Sequence, residues 1–322
     1  MYLIKTDPVT DPAINLAIEE FAVRNLDISK DYLFLYINRP AVIIGKHQNP
    51  FEEINLECAR KNKVAVLRRI SGGGTVYHDP GNLNFCFITQ NTLHNFNTYK
   101  QFLSPIVFML NSLGVKAEIN SRNDIIVGEK KISGNAQFTS RKRLLSHGTL
   151  LFNSDLKMVS EILEIKNHKI ISRSTKSKRG PVTNVSNHTD KIDGMYDFTN
   201  RVENSILEIN GREGEILFSA KEWENIFNIA ETKYNTWKWT FGMTPFFRKS
   251  FENKKLGIKG NLNIANCIID AIEIEYDENN FYRKLKTFFP GCRYEYSSIE
   301  NILNKEFDSA TAQELITTIY PY

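Results

Sequence analysis

The stretch Arg68-Arg69-Ile70-Ser71-Gly72-Gly73-Gly74-Thr75-Val76-Tyr77-His78-Asp79 places three consecutive glycines between two apolar, strand-like runs. Glycine in such a context favours a backbone with positive φ or the close approach of a ligand. Three in a row leave a series of backbone N–H groups exposed, and such a concavity binds anions. The two arginines add planar donors that suit phosphate or carboxylate. A flexible or bulged surface turn is the competing interpretation of this stretch on its own.

Length and composition define the broad class of protein. The 322 residues are enough for one large domain and a smaller one, and the apolar and charged fractions are those of a soluble globular protein. A formal net charge of only +4 gives no general argument for a nucleic-acid partner. The sequence predicts neither a signal peptide nor a membrane span. We therefore expect a cytoplasmic protein that binds neither nucleic acid nor membrane.

The cysteines are expected to be reduced thiols. Their positions show no CxxC pair and no Cys/His spacing that is typical of zinc sites. Isolated thiols without a pairing pattern are usual in proteins of the cytosol. The four residues are Cys58, Cys86, Cys267 and Cys292.

Helix signals occur at irregular intervals. Asp11-Pro12 begins a helix, because aspartate suits the N-cap and proline the first helical position. The clearest helix is predicted at residues 99–113, where apolar residues recur on one face and Gly114 follows the C-terminus. Other helices are predicted at 55–62, 198–207 and 223–234, and from residues 281 and 298.

Strand signals surround these helices without alternating with them. Strands are predicted at 33–37, 41–44, 64–67, 83–88, 115–119, 125–127, 131–133, 147–152 and 268–274, with another beginning at 75. This order favours an α+β fold with mixed or antiparallel sheets flanked by helices over a doubly wound fold. Residues 172–189 are polar and basic, which predicts a long loop. We place a domain boundary near 248–253, between a large domain at 1–248 and a small α+β C-terminal domain at 254–322.

A second cluster of polar residues could carry chemistry. Asn123 and Asp124 precede a strand, where their side chains can project into a cleft. Lys131 lies in an apolar-flanked strand before small residues, and its point charge could reach a carboxylate and a phosphate. A solvated hairpin lysine is the alternative, which we accept for Lys130. A lone histidine such as His147 is more often a structural hydrogen-bonding group than a catalyst.

No nucleophile is evident in the sequence. Ser71 lies outside a GxSxG elbow, and Cys86 is embedded in an apolar strand where a buried, inert thiol is expected. An anion-binding loop and a lysine without a nucleophile suit in-line attack on ATP, since the protein then mainly positions groups and stabilises charge.

Four motifs occur in order along the chain and together resemble the lipoate-protein ligase A family, which shares its catalytic fold with biotin protein ligases. Segments at 11–20, 44–49, 181–184 and 236–242 extend the resemblance over nearly the whole chain. The four motifs are Arg68-Arg69-x-Ser71-Gly72-Gly73-Gly74-Thr75-Val76-Tyr77-His78-Asp79-x-Gly81-Asn82, Asn123-Asp124-Ile125-Ile126-Val127, Lys131-Ile132-Ser133-Gly134-Asn135-Ala136 and His147-Gly148-Thr149-Leu150-Leu151.

The resemblance implies a two-step reaction. Lipoate and ATP, which is accompanied by Mg²⁺, first give lipoyl-AMP and pyrophosphate. The lipoyl group then passes to a lysine of a carrier domain, in the E2 subunits of 2-oxoacid dehydrogenases or in the glycine-cleavage H protein. We expect no metal site in the protein itself, although Asp124 is a candidate partner for the magnesium of ATP.

The resemblance also implies roles for individual residues. Lys131 is the expected catalytic residue, bridging the lipoyl carbonyl and the α-phosphate. The loop at 172–185 is expected to close over the adenylate and exclude water. Lipoate is expected in an apolar tunnel beside Arg69, Gly73, Gly74, Lys131 and His147. ATP or adenylate is expected beside Arg69, Gly74, Thr75, Val76, Tyr77, Asn123, Asp124, Lys131 and Thr183.

Related acyltransferases offer an alternative. The cysteine-dependent octanoyl and lipoyl amidotransferases need no ATP and carry their cysteine shortly before the strand that we predict at Ile125. This chain has Glu118-Ile119-Asn120-Ser121-Arg122 there, and it has the C-terminal region that those transferases generally lack. Both differences favour the ligase. The ATP-independent amidotransferase and a non-catalytic lipoyl- or adenylate-binding protein remain as alternatives.

Overall fold

The computed structural model describes residues 1–6, 8–92, 98–165 and 169–320. Within these ranges the strands are β1 (Tyr2–Ile4), β2 (Tyr32–Ile37), β3 (Ala41–Ile44), β4 (Ala65–Arg68), β5 (Val76–His78), β6 (Asn82–Gln90), β7 (Ala117–Ile119), β8 (Ile125–Val127), β9 (Lys130–Ser133), β10 (Asn135–Thr139), β11 (Arg143–Leu151), β12 (Ile170–Ser172), β13 (Gly214–Ile216), β14 (Phe247–Asn253), β15 (Ile258–Ala265) and β16 (Ile268–Asp277). The α-helices are α1 (Pro12–Asn25), α2 (Leu56–Lys61), α3 (Tyr99–Ser112), α4 (Leu156–Leu163), α5 (Gly194–Asn210), α6 (Ala220–Ile229), α7 (Trp237–Thr240), α8 (Tyr282–Phe288), α9 (Tyr296–Glu306) and α10 (Ser309–Ile319).

The chain forms two compact units, and the first consists of residues 1–46, 64–159 and 178–236. Its largest sheet has the strand order β10-β11-β6-β2-β1-β13. β1 is parallel to β2 and β13, whereas the other neighbours are antiparallel. Two smaller sheets have the orders β4-β3-β5 and β7-β8-β9. The mixed and antiparallel pairing confirms the predicted α+β fold.

Helices cover both faces of β6 and explain why its side chains are buried from Asn82 to Thr89. Leu83, Phe85 and Phe87 share a core cluster with apolar residues of α3 and α5. α1 contacts β6 and β11. The antiparallel register places Cys86 opposite His147. This arrangement brings α1 to the strand that carries a predicted site residue.

The second unit consists of residues 47–63, 160–177 and 237–322. Its sheet is antiparallel throughout, in the order β12-β14-β15-β16. Phe51 is buried at its aromatic centre, with ring centroids 4.9 Å from Tyr294, 5.6 Å from Phe247 and 5.8 Å from Tyr320. This core also contains apolar residues of α8, α9 and α10.

Most predicted elements are confirmed within about two residues at each end. Asp11 Oδ1 accepts hydrogen bonds from the N–H groups of Ala13 and Ile14 at the start of α1, as the N-cap prediction required. Gly114 has φ +89° directly after Leu113, the C-cap of α3. Residues 173–184 contain no helix or strand beyond one isolated bridge at Val182, which confirms most of the loop predicted at 172–189. At its ends, Ser172 belongs to β12 and Val185–Asn187 form a 3₁₀ helix. The elements that were not predicted include β1, β10, β12, β13, β14, α4, α7 and α10.

The division at 248–253 stays a prediction. β14 spans these positions, and the second unit also includes two segments from earlier in the chain. Residues 321–322 of the predicted C-terminal domain lie outside the described ranges. Among the described residues, no helix is long and apolar enough to cross a bilayer.

Candidate active site

The buried side chain of Arg69 stabilises the glycine-rich loop through hydrogen bonds. The residue follows β4, and its side chain is only 5% exposed. Nε donates to Ser71 Oγ (2.8 Å), and Nη2 donates to the carbonyl oxygens of Gly72 (2.6 Å) and Gly74 (2.8 Å). Burial lowers the pKa of Arg69 to about 10, so the guanidinium stays charged at neutral pH. The structure gives Arg69 contacts with the loop, and its predicted contact with ligand stays a prediction.

The loop backbone has the form expected of an anion-binding site. Gly73 has φ +87°, and a Cβ there would lie 3.0 Å from Arg69 Nη2. Within the described part of the chain, no hydrogen bond uses the N–H groups of Gly72, Gly73 or Gly74. Thr75 ends the loop, and β5 begins at Val76 and pairs with β3. The loop can therefore offer several backbone donors to one ligand.

Lys131 projects from β9 next to a carboxylate. Its Nζ lies 2.7 Å from Asp124 Oδ1, and the side chain remains 34% exposed. A Cβ at Gly134 would lie 2.7 Å from Nζ, so only glycine leaves the space that this lysine occupies. Lys130, its neighbour on β9, is exposed.

A tight turn positions Asp124 for this contact. Asn120 Oδ1 accepts hydrogen bonds from the N–H groups of Arg122 (2.8 Å) and Asp124 (3.0 Å). Asn123 lies at the turn with φ +61°, a conformation that asparagine adopts more readily than most residues. Its carbonyl oxygen accepts a hydrogen bond from Asn135 Nδ2 (2.7 Å). The turn is thereby joined to β10.

Residues 181–183 pair with Lys131 along the backbone. The Lys131 N–H donates to Pro181 O (2.9 Å), and the Thr183 N–H donates to Lys131 O (3.0 Å). Lys131 and Val182 form a parallel bridge. Thr183 is 4% exposed, and its hydroxyl lies 3.1 Å from His188 Nε2. The predicted adenylate-side loop is thus adjacent to the predicted catalytic lysine.

His147 connects the glycine-rich loop to α1. Its Nε2 lies 2.7 Å from Ser71 Oγ, and its Nδ1 lies 3.0 and 2.9 Å from the two carboxylate oxygens of Glu19. Glu19 is 1% exposed and was not predicted as a site residue. The available signal was the acidic pair Glu19-Glu20 in a helix whose other buried residues, apart from Asn15, are apolar.

The predicted site residues lie in two groups that are adjacent to each other. A Cβ at Gly73 would lie 3.5 Å from Ala136 Cβ, and Ala136 is paired with His147 between β10 and β11. Asn135, the next residue of β10, bonds to Asn123. The group at Arg69, Gly74 and His147 is therefore contiguous with the group at Asn123, Asp124, Lys131 and Thr183.

The lipoyl protein ligase A/B catalytic domain family matches residues 11–207, well over half of the chain. The chain belongs to this family. Membership confirms the resemblance predicted from the sequence, and it makes the protein an enzyme of the ligase class. Lipoate-protein ligase LplJ of Bacillus subtilis is 38% identical, over 99% of this chain and 100% of its own length. Lipoate–protein ligase 1 of Staphylococcus aureus is 38% identical over 96% of this chain and 94% of its own.

Solved structures of the family share the fold. A lipoate-protein ligase A bound with ATP is 27% identical, has a TM-score of 0.66 and covers 75% of this chain and 98% of its own. Protein Ta0514 of T. acidophilum with bound lipoic acid is 28% identical and has a TM-score of 0.64. The match covers 74% of this chain and 98% of the Ta0514 chain. A bi-partite lipoate protein ligase of Thermoplasma acidophilum has been described with its E2 lipoyl domain. It is 27% identical with a TM-score of 0.66, and the match covers 75% of this chain and 96% of its own.

Cys86 is unsuited to act as the nucleophile of a cysteine-dependent relative. The residue is 0% exposed in β6. Burial, and then the negative charge of Glu19, raise the pKa of the Cys86 thiol well above its usual value. The thiolate that such a transfer needs is therefore strongly disfavoured at this position.

Proposed function

We propose that this protein is an ATP-dependent lipoate-protein ligase that forms lipoyl-AMP and transfers the lipoyl group to a carrier lysine. The observation that carries the proposal is the Lys131 ammonium, held by Asp124 in the space left by Gly134. The group of residues around Lys131 is adjacent to a glycine-rich loop whose N–H groups suit an anion. The ATP and lipoic acid bound to related structures support this assignment.

In the first step, a carboxylate oxygen of lipoate attacks the α-phosphorus of ATP and pyrophosphate leaves. Negative charge increases around the α-phosphate, where Lys131 and the N–H groups of Gly73 and Gly74 stabilise it. Arg69 supports this step by holding the loop, and Thr75, Val76 and Tyr77 continue the wall of the nucleotide pocket. Asn123 and Thr183 flank the adenylate, while His147 borders the lipoyl chain.

Mg²⁺ would enter with ATP and neutralise phosphate charge. Among the described residues, no group of three His, Cys, Asp or Glu side chains could hold a metal ion. Asp124 contacts Lys131 through Oδ1, and its Oδ2 lies 3.6 Å from Arg122 Nε. One carboxylate so engaged fits an ion that keeps phosphate oxygens and water as most of its ligands.

In the second step, the uncharged amine of a carrier lysine attacks the acyl carbonyl of lipoyl-AMP. A C–N bond forms, the C–O bond to phosphate breaks, AMP leaves, and the attacking amine releases one proton. Lys131 remains beside the carbonyl oxygen and stabilises its developing charge. The carrier is an E2 lipoyl domain or the glycine-cleavage H protein, and the E2 domain described with the Thermoplasma relative supports the first.

The loop at 172–185 excludes water from the mixed anhydride. Its pairing with Lys131 at residues 181–183 supports a position over the adenylate. The proposal includes a catalytic domain at 1–248 and an accessory domain at 254–322. It also includes a cytoplasmic location and no nucleic-acid or membrane partner.

Mass spectrometry after incubation with lipoate and Mg·ATP tests the proposal directly. We expect bound lipoyl-AMP, released pyrophosphate and then a lipoyl-sized mass gain on an apo carrier domain. Octanoate in place of lipoate measures chain preference. Absence of pyrophosphate release with any medium-chain acid would exclude the ligase activity.

The cysteine-dependent alternative makes the opposite prediction for Cys86→Ser. The ligase should retain its rate, because a buried thiol takes no part in the reaction. An amidotransferase would lose transfer entirely and would work without nucleotide. Activity of wild type and Cys86→Ser, each with and without ATP, separates the two.

A further inference from the structure

A buried chain of hydrogen bonds runs from α1 to the glycine-rich loop. Tyr36 donates to Glu19 Oε1 (3.0 Å), Glu19 contacts His147 Nδ1 (2.9 Å), and His147 Nε2 contacts Ser71 Oγ (2.7 Å). Arg69 Nε donates to the same hydroxyl (2.8 Å). All five residues are less than 9% exposed. The chain therefore operates out of contact with bulk water.

The donors and acceptors along this series of hydrogen bonds can be assigned in one consistent order. Burial raises the pKa of Tyr36 well above its usual value, so the phenol is protonated and donates to Glu19. Glu19 then accepts from a proton on His147 Nδ1, and the tautomer that carries only this proton has Nε2 as an acceptor. Ser71 donates its proton to that nitrogen and accepts from Arg69. Every group in the chain is satisfied by this single tautomer.

Arg69 links these hydrogen bonds to the orientation of the Gly72–Gly73 peptide. It binds the carbonyl oxygen of Gly72, and in a trans peptide the following N–H, that of Gly73, points the opposite way. Glu19 also supplies the negative charge that offsets desolvation of the Arg69 guanidinium. The carboxylate on α1 thus acts on the loop both through hydrogen bonds and through charge.

We propose that Glu19 is a positioning residue of the ligase: it fixes the tautomer of His147 and, through Ser71 and Arg69, aims the Gly73 N–H at the acyl-adenylate. The inference rests on the proposed function for the identity of the ligand. A purely structural role in packing α1 is the alternative. The Ser71–His147–Glu19 geometry also matches a nucleophile, a base and an orienting acid, so the test includes a covalent outcome.

Glu19→Gln is the informative variant. Glu19 Oε1 lies 3.0 Å from both Tyr36 Oη and His147 Nδ1, so a glutamine carbonyl there can keep the Tyr36 contact. The amide nitrogen of the glutamine then takes the position of Oε2, 2.9 Å from His147 Nδ1. As a donor it favours a ring that is protonated on Nε2 instead of Nδ1. We expect ¹⁵N NMR of the ligand-free protein to show His147 protonated on Nδ1 in wild type and on Nε2 in Glu19→Gln. We expect kcat/KM for lipoate to fall by roughly 10–100-fold, the scale of a disrupted buried hydrogen bond.

Glu20→Gln is the matched control. Glu20 is the adjacent buried acid of α1, but its partners are Arg24, Lys233 and Tyr234. This variant should destabilise the fold while leaving the His147 tautomer and the activity per folded molecule unchanged. Ser71→Ala interrupts the chain further along, so it should retain the tautomer and still lose activity toward lipoate.

Three results would overturn the inference. One is a wild-type tautomer and wild-type lipoate kinetics in Glu19→Gln. Another is an activity loss in Glu19→Gln that matches Glu20→Gln and follows the folded fraction. The third is an acyl group found covalently on Ser71 after denaturation, which would make Ser71 a nucleophile. Failure of the proposed function is separate, since wild type would then form no lipoyl-AMP whatever the tautomer.

Discussion

The ammonium group of Lys131 lies 2.7 Å from Asp124 Oδ1, while about a third of its side chain stays exposed. The carboxylate fixes the charge, and the exposure leaves it accessible to a ligand. Glycine at position 134 supplies the space beside Nζ. The position of the ammonium is therefore determined by two residues that the sequence motif places within ten positions of it.

Lys131→Ala should lower the rate of adenylation by at least ~10²-fold, because it removes one charge-stabilising donor from the transition state. Pyrophosphate release under saturating lipoate and Mg·ATP measures this rate. Lys130→Ala is the control, since Lys130 is exposed on the same strand, and it should retain the wild-type rate. A Lys131→Ala enzyme as fast as wild type would remove Lys131 from the mechanism.

His78 should make the protein sensitive to acid. Burial, followed by the charges of Arg69 and His147, lowers its pKa to about 3 from the usual 6.5. Between these values the unfolded chain binds a proton that the folded state does not, so stability falls as the pH decreases through this window. His78→Asn keeps an acceptor for Asn38 and removes this titration. We expect it to lose less unfolding free energy than wild type between pH 7 and pH 4.5.

Urea unfolding at the two pH values measures the difference. His47→Asn is the control, because His47 is exposed, and it should show the acid sensitivity of wild type. Equal losses in wild type and His78→Asn would show that His78 titrates in the same range in the folded and unfolded states.

At the scale of elements, β10 and β11 can pair closely because Gly148 has no side chain. A Cβ at Gly148 would lie 2.0 Å from Asn135 Oδ1 and 2.5 Å from Phe85 Cζ. Asn135 also holds the carbonyl of Asn123. A small residue in β11 thus determines the position of a turn on another sheet.

Gly148→Ala should destabilise the protein by about 1–3 kcal/mol, since two packed side chains must move. Denaturant unfolding measures this change. Gly180→Ala is the control, because no atom lies within 4 Å of its added Cβ, and its effect should stay within about 0.5 kcal/mol. Equal stability of the two variants would mean that Asn135 and Phe85 move without cost.

Local sequence signals predicted the elements that depend on local physics. α1 has its N-cap, α3 has one apolar face and a terminal glycine, and β3 and β8 have the predicted bounds. β10 was missed because Asn135-Ala136-Gln137-Phe138-Thr139 lacks apolar alternation. This strand is stabilised by pairing with β11, a contact that local pattern does not encode.

At the scale of the molecule, the motifs predicted which residues assemble but not how they are held. Lys131 contacts both Asp124 and the loop at 181–183. The links from Glu19 to His147 and from His147 to Ser71 span 128 and 76 residues. Such contacts depend on sheet order, which a single sequence does not specify. The two units are each built from separate segments, an arrangement that depends on the same kind of long-range contact.

Phe51→Ala should destabilise the second unit selectively. Phe51 is 1% exposed among Phe247, Tyr294 and Tyr320, and removing a buried phenyl ring costs about 3–5 kcal/mol. Hydrogen exchange should accelerate in β15 and β16, whereas β6 and β11 should keep their protection.

Phe108→Ala is the control, because Phe108 is 70% exposed, and it should leave exchange in both units unchanged. Loss of protection to the same extent in both units would show that they unfold as one cooperative body.

The parallel bridge between Lys131 and Val182 has a consequence for how this chain can vary in length. The bridge aligns residues 181–183 with Lys131 by backbone atoms alone, so side-chain changes there leave the alignment intact. A residue inserted within 181–183 would shift the alignment by one and turn the side chains that follow to the opposite face. Residues 178–180 precede the bridge, are exposed and lie outside helices and strands. Insertions should therefore be tolerated there and rejected a few positions later.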